Sequence, residues 1–296
     1  MNAAQIHRRP AVLAALALVL AACATTPEEQ ARQRESADTQ LGLAGAYLQQ
    51  NDQRQALAAA EKAIEMEPMN VNAHMLLGTI HQLGARWGRA MEAYQKALAL
   101  DPKRAEIYYL MGVVRYEMRD AAGAIELLRK ALVQPTYLTP HDAHLYLGGI
   151  LLDQGKVDDA LVEFRKAVDV QPELGEAHNA VGYALLLRGR PEEAVEALAR
   201  AVRFAPTLVA AYRNLGMAYR LAGKRDEARV TFRRVVELAP PESPLAAEAR
   251  KALAELGDAP PAPAGATPGG APSGAPAAAG PAPPATPGGA PGPTIR

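Results

Sequence analysis

A period of 34 residues constrains this chain more than any other feature of its sequence. The repeating unit is clearest at residues 71–102, which read VNAHMLLGTIHQLGARWGRAMEAYQKALALDP, with Gly78, Ala90 and Ala97 at its small positions. Small residues at these spacings let two helices approach closely, and Pro102 prevents the second helix from continuing. The unit therefore predicts a pair of packed helices joined by a short turn.

The same pattern occurs six times along the 296 residues. The units begin at Ala37, Val71, Ala105, His141, Gly175 and Val209. Successive starts are 34 residues apart, except that 36 residues separate the third from the fourth. Period and motif resemble the tetratricopeptide repeat, whose helix pairs stack so that each buries its apolar face on the next. The resemblance implies an all-α fold, a right-handed α-solenoid of six tetratricopeptide repeats over residues 37–242.

The residues after the last repeat divide into a helix and a tail of different composition. Residues 243–257 predict a C-terminal capping helix, because Ser243 suits the N-cap, Pro244 the first turn and Gly257 the C-terminal end. Such a helix would cover the last apolar face of a repeat array. Residues 258–296 hold 12 of the 24 prolines and almost no large apolar residues. This composition predicts a disordered Pro/Ala/Gly-rich tail.

The amino-terminal residues predict a lipid anchor. Residues 1–22 combine basic residues with an apolar run that is too short to span a bilayer, as in a signal peptide. Leu20-Ala21-Ala22-Cys23 resembles a bacterial lipobox, which implies that Cys23, the chain's single cysteine, is the lipid attachment site. Ala24 stands where inner-membrane lipoproteins typically have Asp, so the expected location is the periplasmic face of the outer membrane. Residues 23–36 are predicted to be a tether.

Composition and motifs exclude several classes of function. Without the leader the chain has 30 basic and 32 acidic residues, so no nucleic-acid partner is expected. One cysteine excludes a disulfide framework, and the pair His141 and His144 lacks a third ligand for a metal. His74, His144 and His178 share the fourth position of their repeats, where a flat packing residue is expected. We find no catalytic motif and expect neither an enzyme nor a cofactor, metal or small-molecule substrate.

Function is therefore expected on the surface of the repeats. In tetratricopeptide proteins the first helices line a concave groove, and the resemblance implies that a partner-binding groove here contains Met75, Tyr109, Val113, Tyr116, Leu152, Asn179, Tyr183, Leu186, Arg213, Met217 and Arg220. These residues are mostly apolar, with cationic character near the last repeat, and suit an amphipathic segment of a partner protein. For any single residue, burial between helices is an equally strong alternative.

The two extra residues between the third and fourth repeats point to a particular family. The stretch Pro135–Pro140 reads PTYLTP, and its prolines predict an extended segment that offsets the two halves of the solenoid. It resembles a P-x-Y-x-T-P stretch at the same junction of the type IV pilus pilotin family (PilF, PilW and Tgl). That resemblance implies an outer-membrane lipoprotein that binds secretin subunits of the type IV pilus machine and promotes their assembly. A periplasmic scaffold for another envelope complex, such as peptidoglycan synthases, is the alternative.

Overall fold

The structure is a computed structural model that describes residues 26–257. Cys23 and the tail at residues 258–296 lie outside this range. The described residues form thirteen helices and no strand: α1 (Pro27–Gln49), α2 (Gln53–Met66), α3 (Val71–Leu83), α4 (Trp87–Leu100), α5 (Ala105–Glu117), α6 (Ala121–Leu132), α7 (Pro140–Asp153), α8 (Val157–Val170), α9 (Gly175–Leu187), α10 (Pro191–Phe204), α11 (Val209–Leu221), α12 (Arg225–Leu238) and α13 (Pro244–Glu255). Between residues 26 and 257, no helix is both long and apolar enough to cross a membrane.

The helices belong to two compact units, which are divided after Pro102. In the first unit α1 pairs with α2 and α3 with α4, while the second unit contains the pairs α5/α6, α7/α8, α9/α10 and α11/α12, followed by α13. The fold is thus all-α and built from the six helix pairs that the period predicts.

A glycine at the eighth position of five repeats explains how closely the helices of each pair approach. A Cβ atom built on Gly148 would lie only 2.3 Å from Cε1 of Phe164 on the paired helix, and one on Gly78 would lie 2.4 Å from Cε1 of Tyr94. Equivalent contacts occur at Gly112 with Leu128, Gly182 with Leu198 and Gly216 with Phe232. These large side chains fill the space that the glycines leave, and the resulting buried clusters continue from one helix pair to the next.

The turns between paired helices share one backbone conformation. One residue in each turn has a positive φ, and these residues are Asn51, Ala85, Arg119, Gly155, Gly189 and Gly223. Glycine adopts this left-handed conformation without a steric cost, whereas Ala85 and Arg119 adopt it with some strain. The turn geometry is therefore conserved between repeats even where the residue that suits it best is absent.

The first helix begins earlier than the predicted tether allows. Thr26 forms a capping box with Glu29, in which the Glu29 amide donates to the Thr26 hydroxyl and the Thr26 amide donates to the Glu29 carboxylate (3.2 and 2.8 Å). With Pro27 in the first turn, α1 then continues without interruption to Gln49. The part of the predicted tether from Pro27 to residue 36 is helical, because Thr26, Pro27 and Glu29 start a helix there. Its polar composition alone did not indicate this helix.

The insert between the third and fourth repeats lies inside the second unit. The boundary between the two compact units follows Pro102 and does not coincide with the insert. The side chain of Tyr137 is 8% exposed and packs in one cluster with Val113 of α5 and Leu147 of α7. The insert thus joins the repeats on either side of it.

The final helix packs on the last repeat. The Ser243 hydroxyl accepts a hydrogen bond from the Ala246 amide at 3.3 Å, and Gly257 follows the helix with a φ of +81°. Leu253 and Leu256 belong to the same buried cluster as Phe232. The helix α13 therefore covers the apolar side of the last repeat, which would otherwise be in water.

Candidate partner-binding groove

In the second unit, neighbouring first helices lie side by side. The helix α5 contacts α7, α7 contacts α9, α9 contacts α11, and α11 contacts α13. We call the exposed surface of α5, α7, α9 and α11 the first-helix face. These four helices contain every predicted groove residue except Met75. Met75 lies on α3 of the first unit, where it is partly exposed and its carbonyl oxygen accepts a hydrogen bond from the Thr79 hydroxyl at 3.1 Å.

Two of the predicted groove residues pack in the core cluster of α5 and α7, Val113 as a buried member and Tyr109 as a partly buried one. Val113 is only 3% exposed, because it packs among Leu128, Leu147 and Tyr137, and we correct its assignment to the groove. The ring of Tyr109 meets Tyr146 edge-on at a centroid distance of 5.7 Å and lies 6.4 Å from Tyr137. Burial raises the pKa of the Tyr109 and Tyr137 hydroxyls, so both stay protonated. These three tyrosines attach the insert to α5 and α7.

The remaining predicted residues of this unit are accessible. Arg220 is exposed, and the partly exposed ones are Tyr116, Leu152, Asn179, Tyr183, Leu186, Arg213 and Met217. Burial raises the pKa of Tyr183, which therefore also stays protonated at neutral pH. The apolar members recur at the ninth and twelfth positions of their repeats, which places them at corresponding heights on neighbouring helices.

The polar members of the face bind to one another in steps of one repeat. The Tyr116 hydroxyl donates to the Asp153 carboxylate, across the insert. The Asn214 side-chain amide donates to the Asn179 oxygen at 2.9 Å, and Arg213 donates in turn to Asn214 at 3.2 Å. We call these hydrogen-bonded side chains, together with those that follow on α11 and α13, the polar ladder. Their polar groups are satisfied without a hydrogen-bond partner from another molecule.

The two arginines of the face end this ladder at the capping helix. Arg213 holds the Glu248 carboxylate through two nitrogens, with distances of 2.9 to 3.1 Å, and Arg220 holds Glu255 at 2.9 Å. Both glutamates lie on α13, 35 residues after their arginines. The cationic character that we expected near the last repeat is therefore neutralised. A signal for this was present, since two Arg and two Glu share the same seven-residue spacing.

The histidines have structural roles that the sequence analysis identified only in part. Nε2 of His74 donates to the carbonyl oxygen of Pro68 at 2.9 Å, and Nε2 of His178 donates to that of Pro172 at 2.8 Å. Each histidine thus ties its helix to the end of the preceding repeat. His144 instead donates from Nδ1 to Glu163 at 2.7 Å, which lowers the pKa of that carboxyl group. No cluster of three or more potential metal ligands occurs between residues 26 and 257.

One position of the first-helix face has no side chain. Tyr183 and Met217 occupy the ninth position of their repeats. In the repeat that begins with α7, the ninth residue is Gly149. A Cβ built on Gly149 would meet no atom within 4 Å, in contrast to its neighbour Gly148. The face therefore has a gap at Gly149 that packing does not require.

The side chains near this gap carry negative charge. Asp153 lies one helical turn after Gly149, and Glu117 of α5 is close enough to Tyr146 that its charge contributes, after burial, to raising the tyrosine pKa to about 12. Burial raises the pKa of both carboxyl groups, and for Glu117 the charge of Arg119 partly offsets this. Among residues 26–257 no basic side chain forms an ion pair with either carboxylate.

Comparison with known proteins identifies the repeats. Family models of the tetratricopeptide repeat match residues 37–70, 86–118, 109–169, 147–208 and 209–241. None of the curated protein sequences matches the chain.

Solved structures share the fold. PilW, described as a widely conserved type IV pilus biogenesis factor, is 23% identical with a TM-score of 0.64, over 72% of this chain and 97% of PilW. PilF of Pseudomonas aeruginosa is 22% identical with a TM-score of 0.65, over 73% of this chain and 97% of PilF. YrrB, described as a TPR protein with an unusual peptide-binding site, is 26% identical with a TM-score of 0.50, over 65% of this chain and 98% of YrrB.

Proposed function

This chain belongs to the tetratricopeptide-repeat proteins, which are protein-interaction scaffolds, and from that premise we propose that it is a pilotin. In this proposal a lipid on Cys23 anchors it to the periplasmic face of the outer membrane. The first-helix face of its second unit binds an apolar or amphipathic segment of secretin subunits of the type IV pilus machine. The bound segment is shielded from water until the secretin assembles.

The observation that carries the proposal is that apolar side chains remain exposed on the first-helix face while most of its polar groups are paired. The ladder from Tyr116 to Glu255 satisfies most of its polar groups internally, whereas Leu152, Leu186 and Met217 remain partly exposed. An apolar surface most of whose polar neighbours are already paired binds chiefly through burial. Tyr and Met also adapt to the shape of an incoming helix or strand.

Two further observations favour the pilus machine among possible envelope complexes. Both pilus biogenesis factors match over 97% of their own length, so the chain contains the whole of that fold. The insert Pro135–Pro140 resembles the one in the pilotin family, and its Tyr137 is buried between repeats rather than looped out. These observations support an architecture shared with pilus biogenesis factors, and the secretin is our proposal for the partner.

Deleting the gene in the source bacterium and measuring secretin multimers by denaturing gel and blot tests the proposal. We expect the multimers to be lost while monomers persist. Restoring the wild-type chain should recover them, and a Cys23→Ala chain expressed at the same level should not recover them in the outer membrane. Unchanged multimers after deletion would contradict the proposal.

The proline-rich tail favours a second candidate, a scaffold for peptidoglycan synthases. Residues 258–296 would extend through the cell wall in that case, since extended proline-rich chain spans about 3.1 Å per residue. A chain that ends after Gly257 separates the two candidates. The pilotin proposal expects normal secretin multimers with this truncated chain, whereas the scaffold candidate expects the truncated chain to fail.

A further inference from the structure

We propose that the gap at Gly149 receives one bulky apolar side chain of the bound segment, and that Glu117 and Asp153 hold a lysine or arginine of the same segment. This inference rests on the proposed role of the first-helix face as a docking surface for a protein segment. It adds what that segment must contain. The gap and the residues around it all lie in the second unit.

The fold does not need a glycine at position 149. Glycine in the middle of a helix is destabilising relative to alanine, because it loses more backbone freedom on folding. Gly148 offsets that cost by admitting the Phe164 ring, but a Cβ on Gly149 would meet nothing within 4 Å. Among the glycines of α5, α7, α9 and α11 this freedom occurs at Gly149 alone. On a surface that binds a partner, a cost without a packing gain is expected where a residue is retained for binding rather than for stability.

The surroundings of the gap suit an apolar side chain. Tyr146 and Leu152 lie three residues before and after Gly149, so they flank it on the same side of α7. On the neighbouring helix α9 the equivalent position carries Tyr183, which is half-buried. What is missing at Gly149 is therefore a side chain of about the size of tyrosine or methionine, and a partner can supply it.

The acidic side chains near the gap indicate which residue of the partner should lie next to its apolar side chain. Asp153 follows Gly149 by one turn and already accepts a hydrogen bond from Tyr116, but this donor is neutral. Burial and then the charge of Glu117 on α5 raise the pKa of Tyr146, so this second carboxylate is near Tyr146. At the far end of the same unit, Arg213 and Arg220 are paired with glutamates of α13. Asp153 and Glu117 thus form no ion pair with a basic side chain among the described residues, and these two carboxylates favour a cationic partner group.

The test uses the full chain purified in detergent and a library of random 15-residue peptides displayed on phage. We expect the enriched peptides to share a Leu, Met, Phe or Tyr with a Lys or Arg close to it. For the best peptide, made synthetically, Gly149→Leu should weaken binding by about tenfold or more, as loss of a central apolar contact does. The melting temperature of Gly149→Leu should not fall.

Matched variants separate filling the gap from general effects. Gly88→Leu is the control, because Gly88 lies in a helix of the first unit, is exposed, and would also meet no atom within 4 Å. It should leave binding unchanged. Glu117→Gln combined with Asp153→Asn should weaken binding several-fold at low salt, and the difference should disappear at high salt. Both replacements keep the shape of the face.

Four results would overturn the inference. They are the absence of binders, selected peptides without the apolar and basic pair, equal binding to Gly149→Leu, and occupancy by another part of the same protein. A second copy would reveal itself if Gly149→Leu dissociated a dimer. The tail would be identified as the occupant if truncation after Gly257 strengthened peptide binding. Its single large apolar residue, Ile295, and its single basic residue, Arg296, would then be the groups that fill the site.

The result is independent of the secretin. Because the library contains no secretin sequence, a selected motif that loses binding to Gly149→Leu supports the site even if deleting the gene leaves secretin multimers intact. Conversely, lost multimers together with unchanged peptide binding to Gly149→Leu would support the pilotin role and reject this site.

Discussion

Two adjacent rows of residues on the first helices differ in what constrains them. The row at the eighth position is glycine in five of the repeats, and every one of these glycines accommodates a large side chain of the paired helix. The row at the ninth position contains Gly45, Thr79, Val113, Gly149, Tyr183 and Met217. Packing dictates the first row, whereas in the second row it buries Val113 and leaves Gly149, Tyr183 and Met217 partly exposed. The difference supports our proposal that a partner binds to the exposed members of the ninth-position row and their neighbours.

The largest expected effect comes from removing a large side chain that fills the space beside an eighth-position glycine. Phe164→Ala removes a fully buried ring that packs over Gly148, so the free energy of unfolding should fall by about 3–5 kcal/mol. Denaturant titration of the purified chain measures this loss. Phe204→Ala is the control, since Phe204 is 36% exposed and its loss should cost far less. Equal losses would contradict the assignment of Phe164 to the core.

Filling the same space should cost less but still destabilise. In Gly148→Ala the new Cβ would lie 2.3 Å from the Phe164 ring, which must move, and overpacking of this kind costs about 1–3 kcal/mol. Thermal unfolding followed by circular dichroism measures the effect. A rise in the melting temperature would show that the ring yields freely and that the eighth-position row is not constrained by packing.

The polar ladder should contribute unequally along its length. Arg213→Met removes an arginine that is mostly buried and bound to Glu248 through two nitrogens, which should cost about 1 kcal/mol. Arg220→Met removes a pair that is exposed on both sides and should cost at most about 0.5 kcal/mol. Denaturant titrations at low and high salt compare the two variants. A larger loss for Arg220→Met would reject the ladder as described.

Gly149→Ala should stabilise the chain, in contrast to Gly148→Ala one residue earlier. A helix-interior glycine with free space around its Cβ gains about 0.5–1 kcal/mol on replacement by alanine. The same unfolding experiment measures both variants. If Gly149→Ala destabilised the chain, the two rows would not differ as proposed and the gap would be part of the packing.

The smallest effect is expected at Glu117 and depends on pH. Burial raises the pKa of this carboxyl group, so its ionised form at neutral pH is unfavourable in the folded chain. Glu117→Gln should therefore slightly raise the free energy of unfolding at pH 7. The advantage should shrink as the pH falls through the raised pKa of the folded state, because the wild-type carboxyl group then becomes neutral as well. An advantage that grew on acidification would contradict the direction of this pKa shift.

The sequence predicted the helix pairs because a 34-residue period reports directly on repeated packing. Gly148 and Phe164 illustrate this, since the pattern requires one small and one large residue at fixed positions. The period did not predict how much of the side chain at a given position is buried. Val113 and Tyr183 occupy equivalent positions, yet the insert adds Tyr137 next to Val113 and buries it.

Contacts between repeats were also missed. The bonds from Tyr116 to Asp153 and from Arg213 to Glu248 join residues more than 30 positions apart in different repeats. A pattern defined within one repeat does not contain them. The role of the histidines was missed for a similar reason, since His178 acts on the carbonyl group of Pro172 in the preceding repeat, which any residue there would present.

Secretin multimers in cells that carry Gly149→Leu in place of the wild-type chain provide the most direct test of the account. We predict that the variant accumulates to the wild-type level and melts no lower, while secretin multimers are lost and monomers persist. Cells carrying Gly88→Leu should retain their multimers. Normal multimers in the Gly149→Leu cells would contradict the claim that this position of the first-helix face is reserved for the partner.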